Sequence, residues 1–308
     1  MNKLGLGCMG MSGMYGASDD RESVATIQAA LDAGISLLDT GDFYGMGHNE
    51  MLLGEAIRGR REQAVISVKF GALRTPDGGW TGVDARPVAV KNFLTYTLRR
   101  LNVEYIDIYR PARLDPSVPI EDTVGAIAEM VAAGYVRKIG LSEMGADTIR
   151  RAHAVHPITD LQIEYSLISR GVEEKIVPVL DELGIGMTAY GVLSRGLLSG
   201  SKPAGAGDFR AHLPRFTEGN GAVVAALNTL AAERGITATQ LAIAWVMAKG
   251  PRIVPVVGAR KRTQLNEMLG ALALNLSADE ASRLELALPE AQGTRYDRHQ
   301  MAMLDSER

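Results

Sequence analysis

Asp39, Tyr44 and Lys69 are the residues from which chemistry could start. Asp39 closes the apolar run ISLLD (35–39). Tyr44 follows in LLDTGDFYG (37–45), with Asp42 between them, and Lys69 closes AVISVK (64–69). If the two runs are neighbouring parallel strands, about 4.8 Å separates them and the three groups meet at one mouth. A free phenol, with a pKa of about 10, is a poor acid at neutral pH. A lysine cation beside it stabilises the phenolate and lowers that value, and an aspartate holds the lysine charged and oriented. Such a phenol can give a proton to a carbonyl oxygen or take one from an alcohol. Each residue alone would read as part of a structural ion pair or a packed ring; the three together at adjacent strand ends favour catalysis. Lys69 could instead form a Schiff base in a lyase, but a paired lysine stays protonated, which argues against it.

A proton donor for a carbonyl needs a source of hydride. The segment VVGARKRTQLNEMLG (256–270) offers a grip for one. Gly258 lets the backbone approach closely, and a helix starting near Lys261 presents free N–H groups. Arg260 suits a ribose 2′-phosphate, which it can clamp with paired hydrogen bonds. Gln264 and Glu267 follow on the next turns, within reach of an adenosine. A solvated basic helix start is the plainer reading of the same residues.

These groups need a frame. Short apolar strands at 4–7, 35–39, 64–69, 105–109, 137–142, 160–165, 186–190 and 252–257 alternate with amphipathic helices at 20–33, 49–59, 87–101, 120–133, 146–155, 172–183, 221–234 and 261–271. The strands are continuous apolar runs, as expected of parallel strands covered on both faces. Eight βα units in one chain predict a closed (β/α)8 TIM barrel, residues 1–308 forming one domain, with a doubly wound open sheet as the alternative. Two further helices are expected at 237–250 and 277–288, the second opened by the capping box Ser277–Glu280. The long connections 70–86 and 191–220 both follow strands, so both belong to the carboxyl-terminal face, where barrel sites are built.

Composition narrows the function. With 33 basic against 36 acidic residues and a net charge of −3, no segment is strongly basic, so nucleic acid is an unfitting partner. The single Cys8 excludes an internal disulfide framework and, with no signal peptide in MNKLGLGCMGMSG and no apolar run of about 18 residues, suggests a cytoplasmic protein with no membrane span. GLGCMG (5–10) matches G-x-G-x-x-G but lacks a full strand before it and a helix after it. His153 and His156 lack a third ligand, so no metal is expected.

The stretches LGLGCMGMSGMYG, LLDTGDFYG, NEMLLGEAI, SVKFG, VPIEDTVGAIAEMVAAGYVRKIGLSE, LQIEYSL and TAYGVLSRGLLSG together resemble the aldo-keto reductase superfamily, and within it the bacterial branch with broad aldehyde substrates. The resemblance covers nearly the whole chain. It implies a (β/α)8 barrel, NADPH as cofactor and a small carbonyl compound as substrate, with Tyr44 as proton donor beside Lys69 and Asp39. It also implies that Ser142 and Gln162 hydrogen-bond the nicotinamide carboxamide and that Tyr190 stacks on the ring. Gly191, Val192, Leu193, Ser194 and Arg195 would cradle the pyrophosphate, and Gly7, Cys8 and Met9 would line the cleft.

Four departures stand out. A stretch that in the family reads like YYQHRVDP is here IYRPARLDP, so Ala112 stands where a histidine orients the substrate carbonyl; Arg110, Arg113 and His48 are the nearest substitutes, and Arg110, Arg113 and Arg295 suggest an anionic or polar substrate. The sequence begins almost at the first strand, without the family's floor-plugging hairpin. Glu143, counted with Ser142 among the cofactor-binding residues, replaces the commoner asparagine there, and Met268 replaces one that often touches the adenine; each weakens a single cofactor contact without removing the pattern. Ala112 leaves open a second possibility, a weakened NADP(H)-binding sensor or scaffold. Oligomeric state is not legible.

Overall fold

The computed structural model describes residues 4–205, 207–217 and 219–307, so the ends of the expected 1–308 domain and the first residues of the amino-terminal stretch lie outside it. Eight parallel strands close into a barrel: β1 (Gly5–Gly7), β2 (Leu37–Gly41), β3 (Val65–Phe70), β6 (Ile106–Pro111), β7 (Val136–Ser142), β8 (Ile158–Glu164), β9 (Gly186–Tyr190) and β10 (Ile253–Gly258). Their order around the barrel follows the chain, β10 closing on β1 through Gly5–Val256 and Gly7–Gly258. The open sheet is therefore excluded. The intervening β4 (Ala72–Arg74) and β5 (Trp80–Val83) form a small antiparallel hairpin inside the 70–86 connection, which the sequence read as loop.

Helices cover the barrel: α1 (Asp20–Asp32), α2 (His48–Ala56), α3 (Pro87–Leu101), α4 (Ile120–Ala132), α5 (Ala146–Val155), α6 (Val172–Leu183), the short α7 (Pro214–Thr217), α8 (Gly221–Ala232), α9 (Ala238–Ala248), α10 (Arg262–Leu269), α11 (Ala278–Ala287) and the short α12 (Arg298–Ala302). Their starts follow ordinary end chemistry. Asp19 accepts from Glu22 N ahead of α1, and Pro87 opens α3 where no N–H is needed. Capping boxes Thr237–Gln240 and Ser277–Glu280 open α9 and α11, the two helices outside the βα repeat. No helix among the described residues is long and apolar enough to cross a membrane.

The main core lies between the two layers. Leu38, Ile66, Ile139 and Leu161 from the strands are fully buried with Ile27, Leu53, Val90, Ile127, Ile149 and Leu241 from the helices. At the foot of β1, Leu4 is fully buried as well. The barrel interior is partly polar. Arg110, wholly buried, donates to Ser67 Oγ at 3.1 Å, Asp160 Oδ2 at 3.1 Å and the Leu141 carbonyl at 3.3 Å. Gly140 makes room for this pair: a Cβ there would lie 2.8 Å from Asp160 Oδ1 and 3.1 Å from Arg110 Cζ.

Candidate active site

The register of β2 and β3 builds the centre. Asp39 pairs with Ser67 and Gly41 with Lys69, so both charged side chains enter the barrel near its carboxyl end. Lys69 Nζ donates to Asp39 Oδ2 at 2.6 Å, and the pair is about 5% exposed at each residue. The other carboxylate oxygen accepts from Ser67 Oγ at 3.0 Å and Gln162 Nε2 at 2.7 Å. Asp39 is thus fixed from three sides. The turn after β2 brings Tyr44 back over this pair through left-handed backbone at Gly45, Met46 and Gly47. Lys69 Nζ lies 5.0 Å from the centre of the Tyr44 ring, and Phe43 packs edge-on at 4.8 Å.

The electrostatics differ from the sequence expectation. Burial, followed by the charge of Asp39, pushes the Tyr44 phenol well above its ordinary value; Arg113, not Lys69, is the cation that most opposes this. Burial also lowers Lys69, against the pull of Asp39. The phenol therefore rests protonated, and its partner lysine is the more willing to release a proton. Cys8, buried beside them, is pushed up to about 12 by burial and by Asp39, so its thiol stays protonated and is no nucleophile.

Asp42 is the uncompensated group of this turn. Its Oδ1 has no partner among the described residues, and burial, with Glu50 nearby, raises its carboxyl to about 8. A raised carboxyl favours the folded state while protonated and ceases to do so as pH rises from about 4 to about 8. Asp42→Asn is therefore expected to match wild-type stability at about pH 4 and to exceed it by a few kcal/mol at about pH 9. Melting curves at the two pH values check this; a parallel offset at both would refute it.

Further round the rim, Ser142 ends β7 and pairs with Gln162, two residues before the end of β8. Ser142 Oγ is buried and has no hydrogen-bond partner among the described residues, a polar atom that a ligand amide at this rim would satisfy. Tyr190 ends β9, and Gly191 to Arg195 follow as a tight loop. Gly191 has a φ of 67°, and a Cβ on it would fall 2.9 Å from Glu164 Cγ, so only glycine lets the loop lie this close to the rim. Ser194, Arg195 and Gly196 continue in left-handed backbone. Val192 is buried and Leu193 half-buried beneath the loop. Arg195 is tied to Glu164 Oε2 at 3.0 Å. Gly7 and Met9 are half-buried at the end of β1, and Gly258 is exposed at the end of β10.

Several residues sit differently from the expectation. Arg110 is not at the mouth: it points into the barrel and is neutralised by Asp160, because alternate residues of β6 face opposite sides. His48 bridges Ser12 Oγ at 3.0 Å and Asp20 Oδ2 at 3.2 Å on the outer edge. The Arg260 guanidinium donates to the carbonyls of Tyr15 at 3.1 Å and Ala17 at 3.2 Å, and Gln264 Oε1 accepts from Arg260 N at 2.9 Å. Glu267 is half-buried one turn on. His153 Nδ1 accepts from Ile158 N at 3.2 Å, a structural bond, and no cluster of His, Cys, Asp or Glu among the described residues could hold a metal.

Glu143 has the greatest surprise. It is fully buried, left-handed at φ 54°, and its carboxylate accepts from Arg295 Nη1 at 2.7 Å and Nη2 at 2.6 Å, from Tyr190 Oη at 2.7 Å and from Ser306 Oγ at 2.7 Å. Burial alone would raise its pKa; Arg295 overrides that and holds it at about 2. Arg295 also pairs with Glu307 at 2.6 Å, and Asp305 Oδ2 accepts from Gly145 N at 2.7 Å, at the start of α5. The carboxyl-terminal tail is thereby strapped to the rim. It brings Tyr296 Oη to 3.1 Å from Tyr190 Oη and 3.4 Å from Arg113 Nη2, with Arg195 over its ring at 4.4 Å. Ala112 lies buried beside this group, and its carbonyl accepts from Arg113 Nη1 at 2.6 Å. Nothing in the local sequence around 295 announces the strap; the residue pair SE at 142–143 and RY at 295–296 become informative only once they are in contact.

Comparison with known proteins places this arrangement. The sequence matches the Aldo/keto reductase family over residues 3–288. It is 40% identical over 311 residues to "Probable aldo-keto reductase 1" of Glycine max, covering 96% of this chain and 88% of that protein. The fold matches glycerol dehydrogenase AKR11B4 from Gluconobacter oxydans with a TM-score of 0.85 and 28% identity, over 93% of this chain and 91% of that one. An aldo/keto reductase from Klebsiella pneumoniae, solved in complex with NADP and acetate, matches with a TM-score of 0.75 and 26% identity, over 96% and 95% of the two chains.

Proposed function

The chain belongs to the aldo/keto reductase family, and we propose that it reduces a small aldehyde or ketone with NADPH, Tyr44 giving the proton. The observation that carries this reading is the Tyr44 phenol held over the buried Asp39–Lys69 pair at the carboxyl end of the barrel. When bound, NADPH supplies hydride from its nicotinamide ring. The partnerless Ser142 hydroxyl, with Gln162 beside it, fits the carboxamide of that ring. Tyr190 would face the ring, the Gly191–Arg195 loop the pyrophosphate, and Arg260 with Gln264 and Glu267 the adenosine end. Glu143 takes no part in this grip, because Arg295 occupies its carboxylate.

Tyr44 gives its proton to the carbonyl oxygen as the carbon is reduced, which leaves a phenolate. Lys69, 5.0 Å from the ring, offsets that charge inside a site from which water is largely excluded. Asp39 keeps the ammonium in place, and Ser67 and Gln162 keep Asp39 in place. Depletion of NADPH in the presence of an aromatic aldehyde tests the reading, with wild type beside Ala112→His. Clear wild-type turnover is expected. Turnover confined to the histidine variant would favour the second reading, a weakened NADP(H)-binding subunit, for which the small buried Ala112 speaks.

A further inference from the structure

Five cationic side chains gather at the rim, and four are answered by carboxylates. Lys69 has Asp39; Arg195 and Arg215 share Glu164; Arg295 has Glu143 and Glu307. Arg113 has no carboxylate within salt-bridge distance among the described residues. Its guanidinium is held by the Ala112 carbonyl at 2.6 Å and the Tyr296 hydroxyl at 3.4 Å, both neutral, and its remaining N–H groups find no acceptor among those residues. Glu143 lies near enough for its charge to act on Arg113 but is itself bound by both Nη atoms of Arg295. The position is also telling. Arg113 follows β6, next to the buried Ala112, and its charge acts directly on the Tyr44 phenol. Between Arg113 and the loop after β9, where a dinucleotide's phosphates would lie, stands Tyr296, whose ring Arg195 of that loop covers at 4.4 Å.

An unanswered guanidinium with free donors at the mouth of a site attracts a planar anion, which it binds with paired, charge-assisted hydrogen bonds. We propose that Arg113 anchors the substrate, and that the preferred substrates are oxo acids, carbonyl compounds carrying a carboxylate a short distance from the reacting carbon. This rests on the reductase reading above and sharpens it. Tyr296 acts as a positioning residue, since its hydroxyl holds the guanidinium and the strap at Arg295 holds Tyr296. Arg113 then takes up in part the duty of the missing histidine: it fixes the carbonyl by the substrate's far end rather than by the carbonyl oxygen.

Glyoxylate and 4-oxobutanoate, each beside its neutral amide, provide the test with NADPH. The acids are expected to exceed their amides by about tenfold or more in kcat/KM, chiefly through KM. Arg113→Met should bring the ratio of acid to amide near one, whatever it does to turnover of both through Tyr44, and Arg113→Lys should restore part of it. Unreactive succinate should raise the melting temperature of the NADP-loaded wild type and not of Arg113→Met. Equal turnover of acids and amides, or an acid preference that survives Arg113→Met, overturns the proposal while the reductase reading stands. Failure to reduce any of these compounds overturns the reductase reading; a succinate shift lost in Arg113→Met would then still establish the anion site, and no shift would remove that too.

Discussion

Replacing Tyr44 with phenylalanine will cut carbonyl reduction by about 10²- to 10⁴-fold and leave NADPH binding intact. The substitution keeps the ring, and with it the edge contact to Phe43 at 4.8 Å and the Lys69 cation at 5.0 Å. Only the hydroxyl disappears, so the loss measures proton donation. Single-turnover rates read the chemical step, and fluorescence titration with NADPH reads binding. Near-wild-type turnover would show that another group gives the proton. The pH dependence should carry a related signature. Because burial raises Tyr44 and lowers Lys69, the lysine is the first of the pair to lose its proton as pH rises, and the alkaline limb of the wild-type rate follows loss of the ammonium that offsets the phenolate. In Tyr44→Phe any residual rate should lose that limb.

The largest effect on stability is expected from Arg295→Met. The change leaves Glu143 fully buried, with hydroxyl and N–H donors but no cation in contact. Orphaning a buried charge in this way costs on the order of 3–5 kcal/mol. Part of that appears as release of the tail, so limited proteolysis should cut between residues 289 and 307 far faster than in wild type. A urea midpoint and cleavage rate equal to wild type would refute the strap. The sign with pH follows from Glu143. Its folded pKa of about 2 lies below the usual carboxylate range, so its contribution is present above about pH 4.5 and fades as pH falls towards about 2. Arg295→Met should therefore differ least from wild type in acid.

Most of the frame was legible in the sequence because its signals are local. The continuous apolar runs located all eight barrel strands, and periodicity with capping chemistry located α1 to α6 and α8 to α11, though not the short α7 and α12. The ends moved by at most three residues, the most at α2, expected to run to 59 and ending at Ala56. The second strand continues past Asp39 to Gly41, since Thr40 and Gly41 still pair with Val68 and Lys69. The β4–β5 hairpin was missed because TPDGGWTG reads as turn chemistry, with too few alternating apolar residues to mark strands. At the site, the sequence put Asp39, Tyr44 and Lys69 close together, and the fold does the same. What it could not show was long-range charge assignment. Arg110, Arg113 and Arg295 look alike in sequence, yet one is answered by Asp160, one by Glu143 across 152 positions, and one by no carboxylate. The same gap explains Glu143, read as a damaged cofactor contact until its partner was visible. It also explains Tyr44, whose phenol is governed first by burial, a quantity that spacing along the chain does not carry.

Tyr296, which touches Tyr190, Arg113 and Arg195 at the rim, comes after Gly258, where the last barrel strand ends. A nascent chain therefore completes its mouth only after all eight barrel strands have been made. Prematurely terminated chains would keep the barrel strands yet lack this wall.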